Sequence, residues 1–180
     1  MINNQLNVRP FSGELTDRAK EFRSGNSYLD HFLRGTDSLD HNVGKTFVFL
    51  ADDNATIIGY YNLGTGYVEM VDGDIRTKMG GSIHINCFAL DERYHGLVQT
   101  KADDGEIIYL SDFLLRECIQ RIEYIREKHI GFSFITLSST KEGHSLYLRN
   151  GFDDLEEDMS FSVEASDVEC TPMYLALDIV

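Results

Sequence analysis

The amino-acid sequence predicts one α/β domain over residues 1–180, in which a mixed sheet is flanked by helices. Residues 110–127 place their apolar side chains on one face of a helix. Residues 131–138, which follow, are almost continuously apolar, as is typical of a central strand buried on both faces. This succession of elements predicts a mixed α/β sheet, and a first strand is expected over residues 4–11.

The N-terminal half predicts a helix and then a hairpin. Over residues 26–39, apolar residues recur at helical spacing, and Ser24 or Asn26 can cap the first turn. Residues 45–51 and 56–70 are rich in β-branched and aromatic residues, which favour strands. The turn-forming residues between them join the two strands into a hairpin.

Two polar segments predict loops on either side of the next strand. Residues 71–81 are polar and rich in glycine, and residues 91–105 carry many charges without any period. The more apolar residues 82–90 lie between them and predict a strand.

The C-terminal part predicts a short helix and the last strands. The helix is expected over residues 139–150, because Ser139 and Glu142 have the spacing of a capping box. Gly151 is placed to end the helix in a left-handed conformation. The last strands are expected near residues 160–163 and 171–179.

Composition limits the classes of function. A length of 180 residues with 42% hydrophobic content is enough for one core. The net charge of −14 repels phosphate backbones, which argues against a nucleic-acid partner. It weakly favours basic or amine-bearing acceptors, although solubility alone explains such a charge. No apolar run approaches the ~20 residues that span a bilayer and no signal peptide is visible, so we expect a cytoplasmic location and no membrane partner.

The three cysteines do not predict a site. Cys87, Cys118 and Cys170 lie far apart in apolar segments, so buried thiols are expected. The sequence has neither a C-x-x-C pair nor clustered metal-ligating residues, and we therefore expect no metal.

Five segments of the chain match one enzyme superfamily in order and spacing. The most specific is Tyr147-x-x-x-Gly151-Phe152, at the end of the last predicted helix. The five segments are residues 22–30, 58–63, 88–96, 146–152 and 173–177. Together they resemble the GNAT superfamily of N-acetyltransferases. Residues 22–30 resemble the branch that includes the acetyltransferase toxins of toxin–antitoxin pairs.

The resemblance implies a single-domain GNAT fold, with a mostly antiparallel sheet and a V-shaped split between two central parallel strands. It also implies acetyl-CoA as co-substrate. The pantetheine arm would lie along one of these strands, and the pyrophosphate would face a helix N-terminus, where N–H groups and the dipole favour anions. The residues implied in cofactor binding are Cys87, Phe88, Ala89, Leu90, Arg93, Gly96, Gly105, Leu110, Ser111, Ser139 and Arg149.

The resemblance further implies direct attack of an amine on the thioester, which requires a proton to leave the amine and another to reach the thiolate. Tyr147 is the candidate general acid, because a phenol near the sulfur can donate a proton without a metal. Its alternative role is to pack its ring under the sheet. His84 and Glu69 are candidate general bases, and His84 has an ordinary pKa near neutrality. A relay through water is equally open.

The phosphate-binding loop departs from the family's pattern, Gln/Arg-x-x-Gly-x-Gly/Ala, in which small residues let backbone N–H groups approach the phosphates. Whether His95 or Arg93 takes the first position, Val98 stands where a small residue is expected. An acidic insertion follows at residues 101–106. Either Gly105 and the amides after it form a rebuilt cradle, or CoA binding is weak or lost.

The sequence thus predicts an acetyl-CoA-dependent N-acetyltransferase acting on a small-molecule or protein amine. The departure in the loop keeps a second hypothesis open, a non-catalytic binding module of the same fold. A third is a toxin that acetylates aminoacyl-tRNA, against which the acidic charge argues. The acceptor cannot be read from the sequence, and the resemblance leaves pairing into a homodimer open, because members of the family commonly pair.

Overall fold

The computed structural model describes residues 7–101, 105, 107–161 and 170–177. Its strands are β1 (Asn7–Pro10), β2 (Lys45–Leu50), β3 (Ile57–Asp72), β4 (Ile75–Leu90), β5 (Val98–Lys101), β6 (Ile107–Tyr109), β7 (Phe134–Ser139), β8 (Asp153–Asp154), β9 (Met159–Phe161) and β10 (Thr171–Ala176). The α-helices are α1 (Thr16–Ala19), α2 (Ser27–Arg34), α3 (Leu110–Lys128) and α4 (His144–Arg149). Short 3-10 helices span Gly13–Leu15, Asp37–Leu39 and Glu92–Tyr94.

The chain falls into two compact units, and β3, β4 and α3 contribute residues to both. The first unit comprises Met1–Leu63 and Asn86–Glu117. The second comprises Gly64–Ile85 and Cys118–Val180. That the whole chain is one domain stays a prediction.

The first unit is a sheet in the order β1-β2-β3-β4 with α1 and α2 packed on it. Strands β1, β2 and β3 pair antiparallel. The buried ring of Tyr60 packs edge-on against Phe22 at 5.5 Å and stacks on Phe32 at 6.1 Å. Its hydroxyl donates a hydrogen bond of 2.7 Å to the Leu29 carbonyl. Each such aromatic pair contributes about 1 kcal/mol beyond the burial of area, so Tyr60 holds α2 to the sheet.

Helix α2 confirms one of the two predicted caps. The Asn26 side chain accepts a hydrogen bond of 3.2 Å from the Leu29 N–H. The helix ends at Arg34 rather than near residue 39, because the chain becomes extended at Gly35. The Ser38 hydroxyl then donates to the carbonyls of Leu33 and Gly35, which satisfies the end of the helix.

The second unit holds the parallel part of the sheet. The ladder between β4 and β7 is parallel and runs from the pair Ser82–Phe134 to the pair Ile85–Leu137. Strand β10 pairs antiparallel with β7 and with β8, and β9 pairs antiparallel with β3. Strand β4 continues to Leu90 and β7 to Ser139, so the ladder stops before either strand ends.

The predicted fold class is therefore confirmed. The structure is a mixed α/β sheet, mostly antiparallel, with parallel neighbours β4 and β7. Most of the predicted elements are present within two or three residues of their expected bounds. Within the described ranges, no helix has the length and apolar content needed to cross a lipid bilayer.

The predicted loop at residues 71–81 is wrong. Strands β3 and β4 continue through it as a ribbon, and only Gly73 and Asp74 form the turn between them. Gly73 has φ +58°, the left-handed conformation that such a tight turn requires. The side chains of residues 75–79 are all exposed. This part of the ribbon therefore lacks the alternation of apolar and polar residues by which a half-buried strand is predicted.

The loop predicted over residues 91–105 is wrong in part. Strands β5 and β6 form a two-stranded antiparallel sheet, with Val98 opposite Tyr109 and Lys101 opposite Ile107. The tip of this hairpin, apart from Gly105, lies outside the described residues. Strand β6 passes directly into α3 at Leu110.

The helix predicted over residues 139–150 is shorter than expected. Helix α4 begins at His144, and its N-cap position Gly143 makes no side-chain capping bond. The Ser139 hydroxyl donates to the Thr140 carbonyl at 2.8 Å, so the predicted capping box is absent. Gly151 has φ +89°, which confirms its predicted role at the end of the helix.

Candidate active site

Tyr147 lies on α4 in the second unit, and its side chain is 8% exposed. Its ring packs edge-on against Phe152, with 5.8 Å between ring centroids. The Phe152 N–H donates to the Tyr147 carbonyl at 3.1 Å, and Gly151 supplies the left-handed residue that closes this turn. The Tyr147-x-x-x-Gly151-Phe152 pattern thus builds a helix end that fixes the orientation of the Tyr147 ring.

His84 is a buried histidine on β4 in the second unit. Its Nδ1 lies 2.9 Å from the hydroxyl oxygen of Thr136, the residue paired with it on β7. Its ring lies 5.4 Å from that of Phe161. Burial lowers the pKa of His84 to about 4, because the charged imidazolium loses its hydration. At neutral pH the imidazole is therefore neutral, which is the form that can accept a proton.

Glu69 is the second candidate base, on β3 in the second unit. Its carboxylate lies 3.3 Å from the Arg76 guanidinium, and its side chain is 20% exposed. Part of its charge is therefore already compensated, which weakens the case for Glu69 as a free base. On these contacts His84 is the better-placed candidate.

The cofactor strand of the sequence prediction is the end of β4, in the first unit. The side chains of Cys87 and Ala89 are buried in that unit's core, so only the backbone of these two residues can face a ligand. Burial raises the pKa of the Cys87 thiol to about 12, against a smaller lowering by its hydrogen bond with Tyr60. Cys87 is thus an inert core thiol. Phe88 is half-buried and Leu90 is buried.

Arg93 is engaged by a neighbouring carboxylate. Its Nε and one Nη lie 2.6 Å and 3.0 Å from the two carboxylate oxygens of Asp91. The Asp91 carboxylate, whose side chain is 1% exposed, also accepts the backbone N–H of Arg23 at 3.1 Å. Burial alone would raise the pKa of Asp91, but these hydrogen bonds, foremost those from Arg93, hold it below its usual value. Asp91 is a residue that the sequence analysis did not single out.

The two glycines of the predicted phosphate loop have left-handed backbones. Gly96 has φ +68° and Gly105 has φ +89°, and a side chain at either would meet open space. On one side of Gly96, the His95 ring donates through Nε2 to the Leu90 carbonyl at 2.9 Å. On the other side, the Leu97 carbonyl accepts the backbone N–H of Leu110 at 2.8 Å.

The start of α3 is capped by its own chain. Leu110 is buried and Ser111 is half-buried. The carboxylate of Asp112, which is 3% exposed, accepts the backbone N–H of Tyr109 at 3.0 Å. This contact corresponds to the reciprocal half of a capping box, with an acid three residues into the helix. Its sequence signal, an acid near the start of an amphipathic helix, could have been read in advance.

The last two predicted cofactor residues lie in the second unit. Ser139 is buried at the end of β7 and pairs with Thr171. Arg149 is exposed in the last turn of α4. The structure thus divides the predicted site residues between the two units. The second unit holds Tyr147, His84, Glu69, Ser139 and Arg149, and the first holds Cys87, Phe88, Ala89, Leu90, Arg93, Gly96, Gly105, Leu110 and Ser111.

Across the part of the chain that the structure describes, no group of three or more His, Cys, Asp or Glu side chains is placed to hold an ion.

The fold is similar to several solved structures of bacterial toxins and their complexes. AtaTR bound with AcCoA matches with a TM-score of 0.69 at 14% identity, over 97% of this chain and 95% of that chain. A Tyr→Phe mutant of KacT matches with a TM-score of 0.68 at 15% identity, over 96% and 95%. AtaT complexed with acetyl-methionyl-tRNAfMet matches with a TM-score of 0.65 at 16% identity, over 88% and 94%.

At these identities the likeness establishes the fold, and the fold is the GNAT fold that the sequence predicts. No model of a known protein family matches the sequence. Activity and substrates therefore have to be argued from the residues of this chain.

Proposed function

We propose that this protein is an N-acetyltransferase that transfers an acetyl group from acetyl-CoA to an amine. One observation carries the proposal: over 97% of its length the chain has the fold of a protein crystallised with AcCoA. The buried Tyr147 on α4 supports it, because the residue most specific to the resemblance is held rigidly at a helix end. One of the similar structures is a Tyr→Phe mutant of KacT, which adds support for testing a tyrosine hydroxyl in this chain.

The proposed reaction has one bond-forming and one bond-breaking event. The lone pair of a neutral amine attacks the thioester carbonyl carbon, and the carbon–sulfur bond breaks as the amide forms. The sulfur leaves as a thiolate and takes the hydroxyl proton of Tyr147, which solvent then restores. The surplus proton of the amine passes to a base.

For that base we propose His84 ahead of Glu69. The His84 imidazole is neutral at pH 7, whereas the Glu69 carboxylate already faces Arg76 at 3.3 Å. The low pKa also makes His84 a weak base. It can accept a proton only once attack has made the amine nitrogen acidic, and a water relay between the amine and the ring is compatible with this role.

A donor-binding experiment tests the proposal without knowledge of the acceptor. Acetyl-CoA at ~100 times its dissociation constant should stabilise the protein by about 2.7 kcal/mol, which appears as a rise in Tm. Radiolabelled acetyl-CoA is then offered with a panel of amines, free lysine, polyamines and basic peptides. No shift at millimolar acetyl-CoA, together with no labelled product, would defeat the proposal.

Replacing Tyr147 by Phe tests the general acid. Tyr147→Phe should lower kcat by ~10²-fold or more, because a positioned acid contributes about that much. Phe keeps the edge-on contact with Phe152, so we expect the variant to fold, which its thermal unfolding curve checks. Tyr124→Phe is the matched control, because Tyr124 is 57% exposed on α3 and its hydroxyl has no proposed role. Equal kcat for both variants would remove Tyr147 from catalysis.

A second candidate acceptor is aminoacyl-tRNA. The likeness to AtaT complexed with acetyl-methionyl-tRNAfMet favours it. The charge of −14 opposes it, because tRNA binding relies on Lys and Arg that neutralise phosphates. A gel shift with methionyl-tRNA at low salt decides the matter: binding that weakens steeply with salt supports this acceptor, and no shift rejects it.

A non-catalytic module is the other candidate function. The engagement of Arg93 by Asp91 and of the Leu110 N–H by the Leu97 carbonyl favours it, since both groups are then withdrawn from a ligand. A stoichiometric protein partner in a pull-down, with no CoA binding by calorimetry, would support this function over catalysis. With the N-acetyltransferase we also propose a cytoplasmic location and a small-molecule or protein amine as acceptor, and we leave pairing into a homodimer open.

A further inference from the structure

The polar groups between β4 and α3 are bonded to one another. Arg93 forms two hydrogen bonds to Asp91, and the His95 ring donates to the Leu90 carbonyl. A guanidinium serves a phosphate best with two parallel N–H groups. Two of the five Arg93 N–H groups are already held by a buried carboxylate, whose charge also offsets that of Arg93. The segment therefore offers a phosphate much less than its sequence suggests.

Backbone N–H groups at the start of α3 are also already hydrogen-bonded within the protein. A helix N-terminus attracts anions through N–H groups that lack an acceptor. Here the Leu110 N–H is bonded to the Leu97 carbonyl, and the Tyr109 N–H is bonded to the Asp112 carboxylate. Asp112 also adds a negative charge in the first turn, where a phosphate would have to lie. Two N–H groups at this helix end thus already have acceptors, and the carboxylate adds a charge that opposes an anion.

The surface of the adjoining hairpin is apolar in part, beside the exposed polar side chains of Thr100 and Lys101. The side chains of Leu97, Val98 and Ile107 are 44%, 50% and 41% exposed. Exposed aliphatic side chains cannot hydrogen-bond a phosphate, and in the family pattern the position of Val98 belongs to a small residue. The bonded N–H groups, the carboxylates of Asp91 and Asp112 and the exposed aliphatic side chains all weaken the fit of this segment to a pyrophosphate, against the positive charge of Lys101.

We propose that this protein recognises its donor by the acyl-pantetheine arm, with almost no contribution from the phosphates of CoA. The inference rests on the proposed acetyl transfer and specifies its donor. Pantetheine thioesters that lack the nucleotide then serve nearly as well as acetyl-CoA. The backbone near the end of β4, residues 86–89, is the part of the first unit that we assign to the arm.

Calorimetry on the full chain with three probes tests this donor preference. The probes are acetyl-CoA, S-acetyl-pantetheine, and adenosine 3′,5′-bisphosphate, which carries phosphates without the arm. Each charge-assisted hydrogen bond to a phosphate is worth roughly tenfold in affinity or more. We expect the Kd of S-acetyl-pantetheine to lie within about tenfold of that of acetyl-CoA, and the bisphosphate not to compete with acetyl-CoA at 1 mM, a concentration of order 10³ times a micromolar Kd.

A larger ratio, or competition by the bisphosphate, would overturn the inference while leaving the proposed acetyl transfer intact. If neither thioester binds, both the inference and the proposed function fail. The two failures are therefore distinguishable in one titration series.

Asp112→Asn isolates the charge at the start of α3. The amide oxygen of Asn can still accept the Tyr109 N–H, so the helix cap is retained. We expect acetyl-CoA to bind roughly two- to fivefold more tightly and S-acetyl-pantetheine to bind as before, since only the former carries phosphates to be repelled. Glu14→Gln, an exposed acid in the same unit, is the control and should change neither affinity. An unchanged or weaker affinity for acetyl-CoA would contradict the role given to Asp112.

Discussion

Because His84 is buried, we predict that the free energy of unfolding decreases at acid pH. The ring is 9% exposed, and its contacts, Thr136 and Phe161, carry no charge that could stabilise an imidazolium. In the unfolded chain the pKa of His84 returns to 6.5, against about 4 in the fold. Between these values the unfolded chain binds a proton that the folded chain does not. The free energy of unfolding is therefore not reduced by His84 above pH 6.5, and it decreases as the pH falls from 6.5 toward 4.

The size of this effect follows from the two pKa values. A difference of one pKa unit corresponds to about 1.4 kcal/mol. Integrated from pH 7 down to pH 4.5, the linkage predicts that His84 alone removes about 2.5 kcal/mol from the free energy of unfolding. That is a large part of the ~5–15 kcal/mol by which a domain is stable. Burial of the Asp91 carboxyl is outweighed by hydrogen bonds, foremost those from Arg93, which hold its pKa below its usual value, in the direction away from this window.

Urea unfolding at half-unit pH steps from 7.5 to 4.5 measures the effect. Wild type and His84→Gln are compared, because the Gln side chain can still bond Thr136 but does not titrate in this range. The wild type should lose about 2.5 kcal/mol more than the variant over the series. His41→Gln, at an exposed position, should follow the wild type. Parallel curves for wild type and His84→Gln would show that His84 titrates as in water, and would refute the burial argument.

Two further substitutions test the packing. In Gly59→Ala the new Cβ would lie 2.7 Å from the Ala89 carbonyl oxygen, so we expect a loss of about 2 kcal/mol in urea unfolding, whereas Gly13→Ala, which meets open space, should be near neutral. A Gly59→Ala protein as stable as Gly13→Ala would contradict this close approach of β3 and β4. In Asn26→Ala the N–H of Leu29 loses its cap, and we expect about 1 kcal/mol lower stability, measured the same way and without loss of donor binding. No change in stability would mean that the cap contributes nothing in this context.

Local patterns in the sequence predicted most of the helices and strands. The apolar face of residues 110–127 and the apolar run at 131–138 became α3 and β7. Asn26 and Gly151 could be assigned because a cap and a left-handed residue depend on their nearest neighbours. The fold class followed from the order of these elements and the family resemblance.

Strands were missed where neither face is buried, because the sequence then lacks the alternating pattern that indicates a strand. The ribbon formed by β3 and β4 beyond the core exposes most of its side chains, so residues 71–81 lack the alternation that marks a half-buried strand. The hairpin of β5 and β6 was also missed. Its two strands form a separate sheet in which each pairs only with the other. The helix at 139–150 was overestimated because a correctly spaced Ser and Glu do not ensure a capping box.

By itself, the sequence determined the elements, their order and the residue types that could perform acetyl transfer, because these depend on neighbours a few positions apart. The tertiary structure decided which groups are free to act. The register of β4 against β7 set Thr136 beside His84, and burial then lowered the histidine's pKa. Likewise, the Asp91 carboxylate accepts the backbone N–H of Arg23 only because the fold brings together two residues that lie far apart in the sequence. Partner choice and desolvation arise from contacts distant in sequence, and no local pattern encodes them.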